Sequence, residues 1–478
     1  MSHDLIVIGA GPAGLQAALT GASLGLNTVL LDECPQLGGQ IYRNIVPVTS
    51  GRISPRMAQL LGPDYSHGRL LVQAVIDGGI DGRIELRQGA LVWDVARDGT
   101  VTALQDGRSF QVQAPQLIAA TGAMERASPI PGWTLPGVMN AGAAQIALKG
   151  SGLVPDGPVV LAGGGPLLLL VACQLIDAGA QVAALVETSP ASNRRLALPH
   201  LPNALGAPEV LAKGLGLIWR LLWRLHRAGV PWFRQATDLV VEGAVHAQGL
   251  QFRANGRQQR VAANLVLLHH GVIPNTQMTR LLRLQHDWSD AQLAWQPRAD
   301  AWGQTSIAGF RIAGDGVTIA GALAAQASGA LAALGAAHAL HRLDEAQRDL
   351  RAAPWREVQG HQARFRPFVD ALYRPPEWIG APSDDTIVCR CEEVSAGRVR
   401  EMARLGCQGP NQSKFFSRCG MGPCQGRVCG GVVTQVLAQA LGKPPGEVGA
   451  YRIRAPLKPV PMSALVSLVR AEIDDGEA

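Results

Sequence analysis

The sequence predicts an α/β chain with two doubly wound parallel sheets and a small C-terminal helical domain. Three observations carry this. An apolar run, a glycine turn, a helical stretch and a second apolar run follow one another between Asp4 and Asp32. The same succession recurs from Pro158 to Glu187. Six of the eight cysteines lie between Cys389 and Cys429. Apolar residues make up 47% of the 478 and charged residues 17%, so large cores are within reach and a partner interface is expected. The net charge of +6 is not gathered into a long basic run, which argues against nucleic acid and leaves room for an anionic cofactor or partner.

The first unit reads DLIVIGAGPAGLQAALTGASLGLNTVLLDE. Gly9, Gly11 and Gly14 have the spacing in which the first glycine allows a tight turn, the second lets backbone approach a pyrophosphate, and the third lets helix and strand pack closely. Pro12 and Ala13 open the helix, whose N-terminus favours phosphate charge. Asp32 ends the second strand, where an acid meets a ribose hydroxyl, and Glu33 follows it.

The segment from Pro158 to Ile176 is long enough to span a bilayer, but Gly163-Gly164-Gly165-Pro166 interrupts it. A buried strand, turn and helix fit better. The second unit keeps Gly163 and Gly165 and ends its second strand at Glu187. Leu168 occupies the third glycine position and is expected to push the helix outward. Glu187 would accept a ribose hydroxyl and repel a 2′-phosphate, which favours NAD or an adenine nucleotide over NADP. A fold retained without hydride exchange is the other reading.

Further elements complete a pattern: CPQLGGQIYR with Gly39 and Gln40, IAATGA with Thr121 and Gly122, and GFRIAGDGVTIAGALAAQ with Gly314 and Asp315. Residues 1–340 resemble the flavoproteins with two dinucleotide-binding domains, the pyridine nucleotide-disulfide oxidoreductase type to which thioredoxin reductase belongs. The resemblance implies that the first glycine motif binds the FAD pyrophosphate, that Asp315 bonds the ribityl–phosphate region, and that Thr121-Gly122 marks the crossover. It implies a FAD-binding domain of residues 1–118 and 290–341 around a second domain of residues 119–289. A redox-active C-x-x-C is missing there: Cys34 and Cys173 are far apart, so dithiol chemistry is not expected.

The C-terminal cysteines offer two thiolate pairs, Cys389 with Cys391 and Cys424 with Cys429, suited to zinc or to a [2Fe–2S] cluster. The flavin context, which needs a one-electron outlet, favours iron–sulfur. The stretch resembles the small domain of bacterioferritin-associated ferredoxin, in which a C-x-C pair and a later pair hold [2Fe–2S]. Its second pair is C-x4-C here, not C-x-x-C, which leaves Cys419 competing for one ligand position. Cys407 reads as a small core residue. The glycines around Cys424 are expected to let backbone amides point at sulfur.

Taken whole, with ATGAMERASPIPGWTLPGVMNAGAAQ and the closing YRIRAPLKPVP, the chain resembles the dinucleotide-binding subunit of heteromeric amine dehydrogenases. That group includes hydrogen cyanide synthase, opine oxidase or dehydrogenase, D-hydroxyproline dehydrogenase and heteromeric proline dehydrogenase. The resemblance implies a hetero-oligomer in which an amino-acid-oxidase-like β subunit with its own FAD carries the amine site. An FMN between subunits and a small ferredoxin-like γ subunit are further options. A stand-alone NADH-dependent ferredoxin-type reductase is the alternative. No catalytic residue is assigned, because His269 and His270 read better as core or interface histidines.

Residues 342–384 carry five prolines and are expected to run along the surface as a linker without a regular element. Residues 385–445 form the cluster domain. Residues 446–478 are an irregular tail with one short helix. Leu215 to Phe233 shows Trp219, Leu222, Trp223 and His226 at helical spacing, which is expected to be core or subunit contact rather than membrane surface. A cytoplasmic protein is expected, at most peripheral to the inner membrane face.

Overall fold

A computed structural model describes residues 2–50, 55–78 and 82–468. Its first parallel sheet orders Phe310–Ile312, Gln116–Ala119, Leu5–Ile8, Thr28–Asp32 and Ile84–Gln88. The chain leaves this sheet after Ala119 and returns to its edge at Phe310. In between it builds a second parallel sheet of Trp232–Phe233, Val182–Glu187, Val159–Gly164, Leu265–His270 and Val138–Asn140. Buried strands such as Leu5–Ile8 are apolar throughout because both faces are covered.

The helix Pro12–Ser23 lies so close to its strand that a Cβ on Gly14 would come 1.7 Å from the Gly9 carbonyl oxygen. Only glycine allows that approach. In the second unit the fully buried Leu168 is accommodated within the core that backs the sheet, with Leu161 and Leu185. A two-stranded ladder of Ala123–Glu125 with Val272–Pro274 ties together the segments that cross between the sheets.

Two expectations are corrected. Residues 342–384 are not devoid of regular structure: Glu345–Leu372 is one helix of 28 residues, with Pro354 and Pro367 inside it. An internal proline costs about 3 kcal/mol. Here a capping box between Asp344 and Gln347 starts the helix, Ala352 is fully buried, and Arg348 and Arg356 stack on the Trp302 ring at 4.1 and 4.6 Å. The stripe of Trp219, Leu222 and Trp223 is not core either. In the helix Pro208–Ala228 these residues point outward, and Leu221 and Leu225 are the buried ones.

The cysteine segment contributes the hairpin Ile387–Cys389 with Val394–Ser395 and the helices Ala396–Arg404, Pro410–Ser417 and Gly430–Leu441. Its apolar residues, Val388 and Val433 among them, join one core cluster with Ile6, Val29, Val160 and Val266 from the two sheets. The tail folds back over it: Thr434 donates to the Gly449 carbonyl at 2.8 Å and Gln425 to the Pro456 carbonyl at 2.6 Å.

Candidate functional site

At the C-terminal end of the first sheet lies a cavity of about 590 Å³. Gly9, Gly11, Pro12, Ala13, Asp32, Glu33, Gly39, Gln40, Thr121, Gly122 and Asp315 all line it. Gly14 and Gly314 do not; Gly14 serves the helix–strand contact instead. The size suits a cofactor pocket. No side chain caps the N-terminus of helix Pro12–Ser23, so its free N–H groups are available to a phosphate.

The acids are held in place. One Asp32 oxygen accepts from the Ala10 N–H at 2.5 Å and the other from the Cys34 N–H at 2.7 Å. Burial raises the Asp32 pKa, and these two N–H groups oppose that shift. Asp315 accepts from Ala320 at 3.0 Å and Gly321 at 3.3 Å, at the start of helix Ala322–Ala339. Glu33 pairs with Lys458 of the tail.

Lys149 was not singled out by the sequence pattern. Its ammonium donates to the carbonyls of Gln40 (3.3 Å) and Ile41 (3.2 Å) and to the Gln145 side chain (3.0 Å). It fastens the Gly39-Gln40 loop to helix Ala141–Ser151. Burial, then the nearby Arg43, lowers its pKa to about 8. The available signal was a lone charge in an otherwise small and apolar helix.

In the second unit Gly163 pairs in register with Glu187, while Glu187 and Gly165 line two different cavities. Glu187 lines a cavity of about 200 Å³ with Ser189, Arg194 and Arg234. Gly165 lines another of about 230 Å³ with His269 and His270, and Gly163 lines neither. Tyr373, just past the long helix, lines both. Burial raises the Glu187 pKa, against the pull of Arg234 and Arg194.

Both histidines are buried and partnered. His269 Nδ1 is 2.6 Å from Glu125 Oε1. His270 sits between the hydroxyls of Ser128 (2.7 Å) and Thr188 (3.1 Å), edge-on to Trp378. Burial, with His269 and Arg126 nearby, pushes its pKa down to about 3.

The cysteines fall into a triad and a pair. The sulfurs of Cys389, Cys419 and Cys429 lie within 4.8 Å of one another, all buried. Those of Cys391 and Cys424 are 3.6 Å apart. Hydrogen bonds from Cys419 and Cys429, with the Gly420 N–H at 3.4 Å, lower the Cys389 pKa to about 2. Two thiolates on one tetrahedral metal at about 2.3 Å stand about 3.8 Å apart. The Cys391–Cys424 spacing meets that geometry, and the donor set fits an iron–sulfur group or zinc. Gly422 makes the pair possible, since a Cβ there would lie 2.2 Å from Cys391 Cβ. Gly420 and Gly426 make room for the buried Tyr451 ring. Among the described residues, Gly420 alone of these glycines points its N–H at a cysteine sulfur.

Arg427, between Cys424 and Cys429, also lines the 590 Å³ cavity, as do Leu457 and Lys458. The cysteine loop therefore adjoins the cavity of the first sheet.

Comparison with known proteins finds two family models along the chain. Residues 3–200 match the pyridine nucleotide-disulphide oxidoreductase family model, and residues 384–467 match the sarcosine oxidase A3 domain. The chain is 43% identical to the A subunit of opine oxidase from Agrobacterium tumefaciens, over 98% of this chain and 92% of that one. It is 33% identical to the HcnB subunit of hydrogen cyanide synthase from Pseudomonas protegens, over 97% of each. L-proline dehydrogenase from P. horikoshii shares the fold, with a TM-score of 0.67 and 16% identity over 97% of this chain and 79% of that one.

Proposed function

The chain belongs to the family of opine oxidase A subunits and hydrogen cyanide synthase HcnB subunits, and from that premise we propose that it is the electron-transfer flavoprotein subunit of a heteromeric dehydrogenase. The enzyme oxidises a secondary amine or amino acid of opine, proline or hydroxyproline type at its CH–NH bond, giving an imine that water opens. The single observation that carries this reading is the adjacency of the two candidate sites. Arg427 of the cysteine loop lines the same cavity as Gly11 and Asp32.

Gly9, Gly11 and the N-terminus of helix Pro12–Ser23 would hold the pyrophosphate of FAD, Asp32 its ribose, and Asp315 the ribityl–phosphate region. Cys389, Cys391, Cys424 and Cys429 would hold a [2Fe–2S] cluster, with Cys419 as a buried fifth thiol beside it. Bound there, the flavin supplies exchange of one or two electrons and the cluster exchange of one. The protein excludes water from the cluster site by burying Cys389 and Cys429.

The amine site belongs to an amino-acid-oxidase-like β subunit, with further components in an interfacial FMN and a ferredoxin-like γ subunit. The second nucleotide fold suits an adenine nucleotide in the Glu187 cavity better than an NAD that exchanges hydride. Leu168, fully buried at the third glycine position, supports that reading. The same departure from the glycine pattern weighs against a stand-alone NADH-dependent reductase. Rapid mixing with NADH tests this: no flavin bleaching by NADH alone, and bleaching by amine only with the β subunit present, is expected. Rapid bleaching by NADH alone overturns the proposal. Purified chain lacking a paramagnetic signal after dithionite reduction removes the cluster.

A further inference from the structure

The helical excursion of residues 192–228 holds six Lys and Arg residues and one acid, Glu209, a net of five positive charges against +6 for the whole chain. Its main element, Pro208–Ala228, is about 31 Å long at 1.5 Å per residue. Three stripes run along it. Leu221 and Leu225 face the protein. Leu215, Trp219, Leu222 and Trp223, spaced i, i+4, i+7, i+8, face outward and are 61, 70, 44 and 48% exposed, with His226 at the end of the same stripe. Lys213, Arg220, Arg224 and Arg227, spaced i, i+7, i+11, i+14, form a flank between the two.

Lys213 and Arg224 are tied to Asp64 and Asp177. Arg227 stacks on Trp223 at 5.1 Å. Arg220 has no ion pair among the described residues. Leu196, Leu198 and Leu205, on the preceding turns, are exposed as well.

We propose that this excursion lies on an anionic bilayer, with the Leu215–Trp219–Leu222–Trp223 stripe in the acyl boundary and the cationic flank at the headgroups. An interfacial helix needs a polar cationic face, an opposite apolar face with tryptophan, and a strong segregation between them. This helix has the tryptophan-bearing apolar stripe and, segregated from it on the adjoining flank, the cations, and its inner stripe is already satisfied by the protein. No helix among the described residues is long and apolar enough to cross a membrane, so the contact is one of lying on the surface. A protein partner would call for about one hydrogen bond per 100–200 Å² of contact. The outward stripe offers little for that beyond the tryptophan ring N–H groups and His226, whereas lipid tails ask for none. The proposal is independent of the catalytic reading.

The test is co-sedimentation of the full chain with vesicles of phosphatidylcholine alone and of phosphatidylcholine with phosphatidylglycerol, at low salt. Roughly tenfold tighter binding to the anionic vesicles is expected, from electrostatic attraction added to apolar burial. Trp219→Ser with Trp223→Ser should weaken that binding by roughly tenfold or more, as the apolar area is lost. Arg220→Glu with Arg227→Glu should abolish the anionic preference. Thermal midpoints report whether the variants fold; Leu215→Ser with Leu222→Ser is the second apolar variant and must behave as the first. No wild-type binding, or binding indifferent to these changes, overturns the proposal. So does loss of a co-expressed dehydrogenase subunit from the tryptophan variant when the wild type ignores vesicles, which would assign the face to a protein.

Discussion

Arg427 donates a hydrogen bond to the Leu457 carbonyl at 3.1 Å, joining the cysteine loop to the tail at the wall of the first-sheet cavity. The bond runs between Cys424 and Cys429 on one side and the segment that places Lys458 against Glu33 on the other. A hydrogen bond from a charged donor contributes about 1.5–3 kcal/mol. Arg427→Ala should therefore lower the thermal midpoint and speed flavin loss, while iron content stays the same. Unchanged flavin release, measured by dilution and fluorescence, would detach the tail from the cavity's closure.

Gly11 and Gly14 should fail differently when changed to alanine. A Cβ on Gly14 meets the Gly9 carbonyl oxygen at 1.7 Å and its carbon at 2.9 Å, a backbone group that cannot yield as a flexible side chain would. Gly14→Ala should give little folded protein. A Cβ on Gly11 would find its nearest neighbour, Gly39 Cα, at 3.9 Å, so the empty chain tolerates it. Gly11→Ala should keep its melting temperature without cofactor and bind FAD roughly tenfold or more weakly, because the methyl stands where backbone approaches pyrophosphate. Calorimetry of the apoprotein and FAD titration separate the two.

The local chemistry of the fold was readable in the sequence and its longer-range choices were not. Glycine turns, apolar strands and strand-end acids are dictated within ten residues, so Gly11, Asp32 and Asp315 meet in one cavity as their motifs imply. The stripe around Trp219 has the expected period but is not core, because the helix is apolar on two sides and period alone does not choose which of them the protein buries. Helix Glu345–Leu372 is masked in the sequence by its two prolines, ordinarily helix breakers, while the Asp344–Gln347 cap and the Trp302 stack that sustain it are a local signal and a tertiary one. The grouping of Cys419 with Cys389 and Cys429 depends on how the loop closes over Tyr451, which spacing does not encode.

Cysteine replacements should rank the five sulfurs. Cys424→Ser removes one member of the 3.6 Å pair and should strip the iron and its visible absorbance. Cys419→Ser should keep iron content and shift the spectrum or potential, since its thiol neighbours Cys389 and Cys429 without belonging to the assigned set. Iron retained in Cys424→Ser and lost in Cys419→Ser would exchange their roles.

His270 should impose an acid limit on stability. Its pKa is near 3 in the fold, because burial and the neighbouring His269 and Arg126 oppose a charge on it, against an ordinary value of 6.5. The unfolded chain therefore takes up a proton first as pH falls. The stabilisation is fully present above pH 6.5 and is lost progressively down to about pH 3, where the folded form also protonates. Between pH 7 and pH 5 this one group should cost about 2 kcal/mol. Urea unfolding at the two pH values measures the loss. His270→Gln can keep one hydrogen bond to Ser128 or Thr188 and removes the titration, so it should be less stable at pH 7 yet flatter toward pH 5. A pH dependence as steep as the wild type's would place the acid sensitivity elsewhere, with His286, whose pKa burial lowers to about 4, as the next group to replace.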